Sequence, residues 1–237
     1  MVDSYQQTIP FSLFKATQER SCHVISLMIY GRISYKEVSR DLFTGIFPLT
    51  FDLQKKGERM FKELAEKRRS VKVFAARPVE AEKIDGIIEA ALRSPTGRAA
   101  RPWAFVVVTD KTLLEKLSVA KPVGAAFVKN ASVAVVVCGD PSASGLWLED
   151  SSIAAVTMQY AAHALGLGSR WAQIKGNNFN EGTTSTQYIA GLLGLPENLT
   201  VHCIIAIGYP GEEMVPYKKD ELRFDKVSYN QYGQKKA

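Results

Sequence analysis

Three uninterrupted apolar runs limit the architecture most: Ala104 to Thr109, Ala131 to Cys138 and Thr200 to Ile207. A strand without polar alternation has no face to offer water, so a sheet built from such strands must be covered on both sides. The covers are visible between the runs. Ile84, Ile87, Ile88 and Ala91 recur at helical spacing within Ala81 to Arg93, after Pro78. Lys111 to Leu117 follows Asp110 as a short helix, Glu149 to Leu165 is a long alanine-rich one ending at Gly166, and Ser185 to Leu193 is another. Met60 to Lys67 opens this patterned region as a helix with Phe61, Leu64 and Ala65 on one face, and Val71 to Phe74 and Ser169 to Ala172 read as short extended pieces. Helices alternating with apolar strands predict an α+β or α/β layered domain.

Residues 1–57 read differently, with mixed apolar stretches and no sustained period. They are expected to form an extension packed on the domain, a poorly ordered arm, or the product of an upstream start codon, since Met60 also opens a natural-looking sequence. The patterned domain is expected over 58–237. No apolar run reaches the roughly 18 residues that span a bilayer, and the N-terminus lacks the parts of a signal peptide, so the expected location is the cytoplasm. Cys22, Cys138 and Cys203 are isolated and odd in number. They suggest neither a disulfide framework nor a zinc site, and they read as small buried hydrophobes. The formal charge of +6 is dispersed apart from Lys67, Arg68, Arg69 and Lys72. Without zinc-finger spacing or a long basic tract, that cluster suits one phosphate better than a polymer, and a nucleic-acid binder is disfavoured.

Three places could carry chemistry. In Arg68-Arg69-Ser70-Val71-Lys72, alternate side chains share a face, so Arg68, Ser70 and Lys72 point one way and Arg69 the other. Two cations and a hydroxyl match a phosphate joined to a polyol, although an Arg-Arg pair at a helix end also serves as a solvated cap. Ser94-Pro95-Thr96-Gly97-Arg98-Ala99-Ala100-Arg101-Pro102-Trp103 is a stiff turn that either meets a planar ligand or merely joins helix to strand. In Gly166-Leu167-Gly168-Ser169-Arg170-Trp171, glycines allow close backbone approach by a ligand or by the neighbouring sheet. This is not a dinucleotide loop, because it leaves a helix and enters a strand.

The order of these motifs resembles the nitroreductase family. The resemblance rests on Met60 to Phe74, Ser94-Pro95 with Pro102-Trp103, Trp147-x-Glu149-Asp150 before the alanine-rich helix, Ala164 to Trp171, and Ile207-Gly208-Tyr209-Pro210. It covers about 58 to the C-terminus. It implies an α+β, three-layer α/β/α fold with a central mixed, mainly antiparallel sheet, and a homodimer holding FMN in each of two interfacial pockets. Carried over, Arg68, Arg69 and Ser70 resemble the phosphate and ribityl ligands, and Lys72 the cation at the flavin N1 and O2 edge. Pro95, Thr96, Gly97 and Arg98 resemble the segment laid beside the ring by the partner subunit. Gly168 and Ser169 resemble the backbone contributors on the ring side, and Lys226, with Arg223 behind it, the basic residue that completes the phosphate site.

The implied chemistry is ping-pong hydride transfer from NAD(P)H, or in some relatives reduced ferredoxin, to a flat electron-poor acceptor such as a nitroaromatic, quinone or enone. It needs no catalytic acid and no metal; His163 and His202 read as buried, hydrogen-bonded histidines. Two departures bear on specificity. Many members carry Asn and Gln where this chain has Ala99 and Arg101, and Gln-Asn where it has Val156-Thr157. Arg98 or Arg101 can replace amide hydrogen bonds with charge, which suits aromatic or acidic acceptors. The competing expectation within the same fold is a non-catalytic flavin-binding protein.

Overall fold

A computed structural model describes residues 60–236; the expectations for 1–57 lie outside them. The described chain is helical over 60–67 (α1), and continues as α2 (Ala81–Leu92), β1 (Trp103–Val108), α3 (Lys111–Ser118), β2 (Val133–Gly139), α4 (Trp147–Ala164), β3 (Gly168–Gln173), α5 (Ser185–Leu193) and β4 (Thr200–Gly208). The strands form one sheet in the order β1-β2-β4-β3, every pair antiparallel. The parallel component is a single bridge, Ser70 to Ser169.

The apolar runs are buried for the reason their sequence requires. On β2, Val133, Val135 and Val137 enter one core with Ile87 and Ala91 of α2 and Ala155, Met158 and Ala162 of α4. The alternating Ala134, Val136 and Cys138 enter a second core with Leu114 and Leu117 of α3 and Ile189 of α5. The period-two pleat thus feeds two helical layers from one strand, and the three-layer α+β arrangement follows. Cys138 and Cys203 fall one in each core, and burial pushes the Cys138 thiol up to about 12.

Local chemistry sets the helix ends. The Asp110 carboxylate accepts from Leu113 N–H at 2.8 Å, and Thr184 and Gln187 form a reciprocal capping box on α5. Beyond α4, Gly166 takes φ +76° and sends its N–H back to His163 O, a conformation that costs glycine little.

The extended reading of Val71 to Phe74 needs correction. These residues make no strand, only isolated bridges at Ser70 and at Phe74 to Pro210. Two of their N–H groups, from Lys72 and Val73, donate to the Glu212 carboxylate at 2.7 and 3.0 Å instead of to a neighbouring strand. What joins the segment to the sheet is Val71, whose N–H donates to Ser169 O at 3.1 Å. Its side chain sits against Gly168, where an added Cβ would come within 2.2 Å of Val71 Cγ2. The close approach that Gly168 permits here is that of the Val71 side chain. A second tie lies at the end of β4. Tyr209 Oη donates to Glu80 Oε2 at 2.7 Å and accepts from Lys83 Nζ at 2.7 Å, and the Tyr209 hydrogen bond is the largest influence holding the Glu80 carboxyl down at about 2.

Gly168→Ala is expected to lower stability by about 1–3 kcal/mol, the usual cost of forcing extra volume into a closed contact. Chemical denaturation measures it; an unchanged midpoint would mean that Val71 can withdraw freely.

Candidate functional site

The basic stretch leaves α1 with Arg68 N–H still bonded to Leu64 O at 3.0 Å. Its cations then diverge. The Arg68 guanidinium lies 5.8 Å from the centre of the Tyr160 ring on α4, whereas that of Arg69 stacks 3.6 Å over Tyr217. Ser70 and Lys72 are exposed while Val71 between them is buried. Arg68 and Arg69 are both half-buried, and Val71 is the buried member of the stretch. Among the described residues, Arg68, Arg69 and Lys72 make no ion pair with a carboxylate. Their positive field is felt nearby: His163 is held below the ordinary histidine value by burial first, then by Arg68 and Lys67.

Gly168 and Ser169 are both buried beside this stretch, joined to it through the Ser70 bridge. Lys226 is exposed in a short turn at Phe224–Lys226. Arg223 is committed to Asp225 through Nε and Nη2 hydrogen bonds of 2.8 and 2.6 Å, which leaves Lys226 the more available cation.

The Pro95 to Arg98 segment is not brought to the basic stretch within one chain. It lies at the other end of α4. There Gly97 N–H donates at 2.9 Å to Oδ1 of Asp150, a carboxylate only 3% exposed. Tyr160, the neighbour of Arg68, is ten residues further along α4, about 15 Å by helical rise. The loop is also conformationally unusual. Arg98, Ala99 and Arg101 adopt φ of 54°, 56° and 48°, the left-handed region that non-glycine residues enter at a cost. Thr96 Oγ1 accepts from Arg101 N–H at 3.2 Å inside it.

The two histidines separate. His202 is 4% exposed; its Nε2 meets Ser152 Oγ at 2.9 Å, and Trp171 and Trp147 stand edge-on to its ring. Ser152 gives its own proton to Leu148 O at 2.7 Å, so His202 Nε2 is the donor and buried Nδ1 lacks a partner. His163 corrects the expectation of a buried, bonded residue: it is half-buried, and its imidazole makes no hydrogen bond to a described residue. Sequence reasoning missed Tyr217, Glu212 and the clamp by Asp150. An Asp in the first turn of a helix reads as a dipole partner, and nothing in its spacing announces burial.

No helix among the described residues is long and apolar enough to cross a membrane, and no cluster of potential metal ligands occurs among them. The model of the Nitroreductase family matches residues 65–120, a span holding both the basic stretch and the left-handed loop. An Archaeoglobus fulgidus protein, provisionally named an NADH dehydrogenase/NAD(P)H nitroreductase, is 35% identical over 158 residues, covering 65% of this chain and 87% of its own. The chain belongs to the nitroreductase family. Among solved structures, an FMN-dependent nitroreductase from Clostridium difficile R20291 superposes with a TM-score of 0.70 at 39% identity, over 71% of this chain and 98% of its own. The NADPH:FMN oxidoreductase of Vibrio harveyi, solved with NAD+, gives 0.61 at 26% identity, over 73% and 78%. This nitroreductase-family chain therefore has the oxidoreductase fold that its motif order implied.

Burial pushes the His202 pKa down, as does nearby Lys175, so its folded value lies below the unfolded one. A depressed pKa stabilises the fold above the unfolded value, near 6.5 for histidine, and the contribution is lost as pH falls through the folded value. Denaturation midpoints are expected to drop between about pH 7 and pH 5, and His202→Gln to flatten that drop. An equally steep drop in the variant would assign the effect elsewhere.

Proposed function

We propose that this chain is a homodimeric FMN-dependent oxidoreductase passing a hydride from NAD(P)H to a flat electron-poor acceptor, in ping-pong order. The observation that carries the reading is a set of cations without carboxylate partners among the described residues, Arg68, Arg69 and Lys72, beside Ser70 at the sheet edge. That donor set fits a phosphate ester carrying a polyol. Arginine offers forked donors to phosphate oxygens, a serine hydroxyl suits the ribityl chain, and a lysine ammonium is a point charge for a ring carbonyl.

Bound there, FMN supplies the redox chemistry, accepting electrons from the nicotinamide and returning them to the acceptor. The protein's part is placement and electrostatics. Arg68, Arg69 and Lys226 would hold the phosphate, and Lys72 would supply positive charge at the edge of the ring, favouring its reduction. Gly168 and Ser169 form the backbone wall beside the basic stretch. No described side chain is required to move a proton.

The second subunit follows from distance. The loop at Pro95, Thr96, Gly97 and Arg98 stands about 15 Å along α4 from the neighbour of Arg68; in this reading a partner copy supplies its loop to this ring, and this loop serves the partner. The surface for such pairing exists. α4 packs Ala154, Ala155, Met158 and Ala162 inward, while Ile153 and Val156 on its other side are 42% and 44% exposed. Apolar residues on the outward side of a helix gain from cover there.

Purified protein is expected to be yellow, to release FMN on denaturation, and to bleach with NADH or NADPH without oxygen. Bleaching only by reduced ferredoxin would revise the donor, and a colourless protein that takes up no added FMN would reject the reading. Arg68→Ala removes a charge-assisted contact worth about 1.5–3 kcal/mol, so FMN affinity should fall about tenfold or more, read by equilibrium dialysis. Val156→Glu is expected to yield monomer in light scattering and to lose flavin with the dimer. A flavin-loaded monomer would show that one chain completes the site.

A further inference from the structure

The loop after α2 adopts a conformation it does not prefer. Three left-handed non-glycine residues within four positions, Arg98, Ala99 and Arg101, are a concentration of strain. Such strain persists only where the surroundings impose it. Two side chains do so. Thr96 Oγ1 takes the Arg101 N–H from within the loop. Asp150 reaches in from α4 and takes the Gly97 N–H at 2.9 Å. A carboxylate is costly to bury, yet Asp150 is 3% exposed and its other oxygen, Oδ2, has no hydrogen-bond partner. An interior carboxylate with one backbone donor is poor use of a charge for stability alone, and Gly97 lies where the loop turns.

We propose that Asp150 is a positioning residue: through its bond to Gly97 N–H it holds the 94–101 loop in the left-handed conformation that fixes where Arg98 and Arg101 stand over an acceptor. Both arginines are exposed and unpaired with any described carboxylate, so a fixed loop presents two guanidinium groups to an acidic aromatic. A loosened loop disperses them. The role in acceptor binding rests on the function proposed above; the clamp itself does not.

The test compares Asp150→Asn, whose amide oxygen can still accept from Gly97, with Asp150→Ala, which cannot; Asp150→Leu replaces alanine should that variant fail to fold. The first readout is trypsin cleavage at the exposed Arg98–Ala99 bond, followed by mass spectrometry, which needs no flavin. Cleavage is expected to quicken about tenfold in the Ala variant and to stay near the parent rate in the Asn variant, with unchanged circular dichroism. The second is acceptor kinetics on flavin-loaded protein. The KM for 4-nitrobenzoate should rise about tenfold in the Ala variant, that for nitrobenzene should change little, and Asn should restore the parent value. Equal trypsin resistance in all three proteins overturns the clamp, as does equal susceptibility of Asn and Ala. A loosened loop with KM values unchanged for both acceptors overturns the positioning role. Flavin-free protein with the expected trypsin pattern rejects the proposed function and leaves the clamp standing.

Discussion

The long helix α4 is the constraint from which the candidate site takes its shape. Alanines and Met158 let it lie close on the sheet. One end carries Asp150 under the left-handed loop and the other carries Tyr160 and His163 beside Arg68. A small residue on the sheet-facing side is what permits this, because larger side chains would lift the helix and move both ends together. The separation is set by the rise of the helix, about 1.5 Å per residue, and in the proposed function a second copy brings the two parts together.

Between those ends, the basic stretch is placed by a contact of a different kind. Val71 sits where Gly168 has no side chain, and its N–H donates to Ser169. Burial of one apolar residue thereby fixes its charged neighbours on either side, Arg69 over Tyr217 and Lys72 beside Glu212. Charged side chains are poor at fixing their own position, since solvation and rotamer entropy compete. An apolar anchor between them and flat rings beneath them do that work here.

How much of this was legible depended on which force sets each feature. The apolar strands are readable because burial on both faces leaves a direct mark on composition, and α5 has the bounds expected from sequence, with Thr184 capping its start and Gly194 its end. Val71 to Phe74 looks extended from sequence, yet Lys72 and Val73 are both exposed and Glu212, some 140 positions away, takes the N–H groups a strand would have shared. The Arg98, Ala99 and Arg101 backbone left no trace either, since left-handed positions are usually marked by Gly or Asn. Asp150 looked like an acid at a helix start. Its burial comes with the Gly97 loop bonded to it, a tertiary outcome that local spacing does not encode.

The two described cysteines acquire a meaning from the chemistry proposed for the neighbouring site. Quinones and enones are electrophiles that add to thiolates as readily as they accept hydride. Cys138 is fully enclosed with its ionisation suppressed, and Cys203 is likewise raised by burial and by Cys138 beside it. Neither presents a nucleophile to such compounds. The layers that close the sheet from water on both faces thus also shelter these thiols from alkylation by the molecules the site would handle.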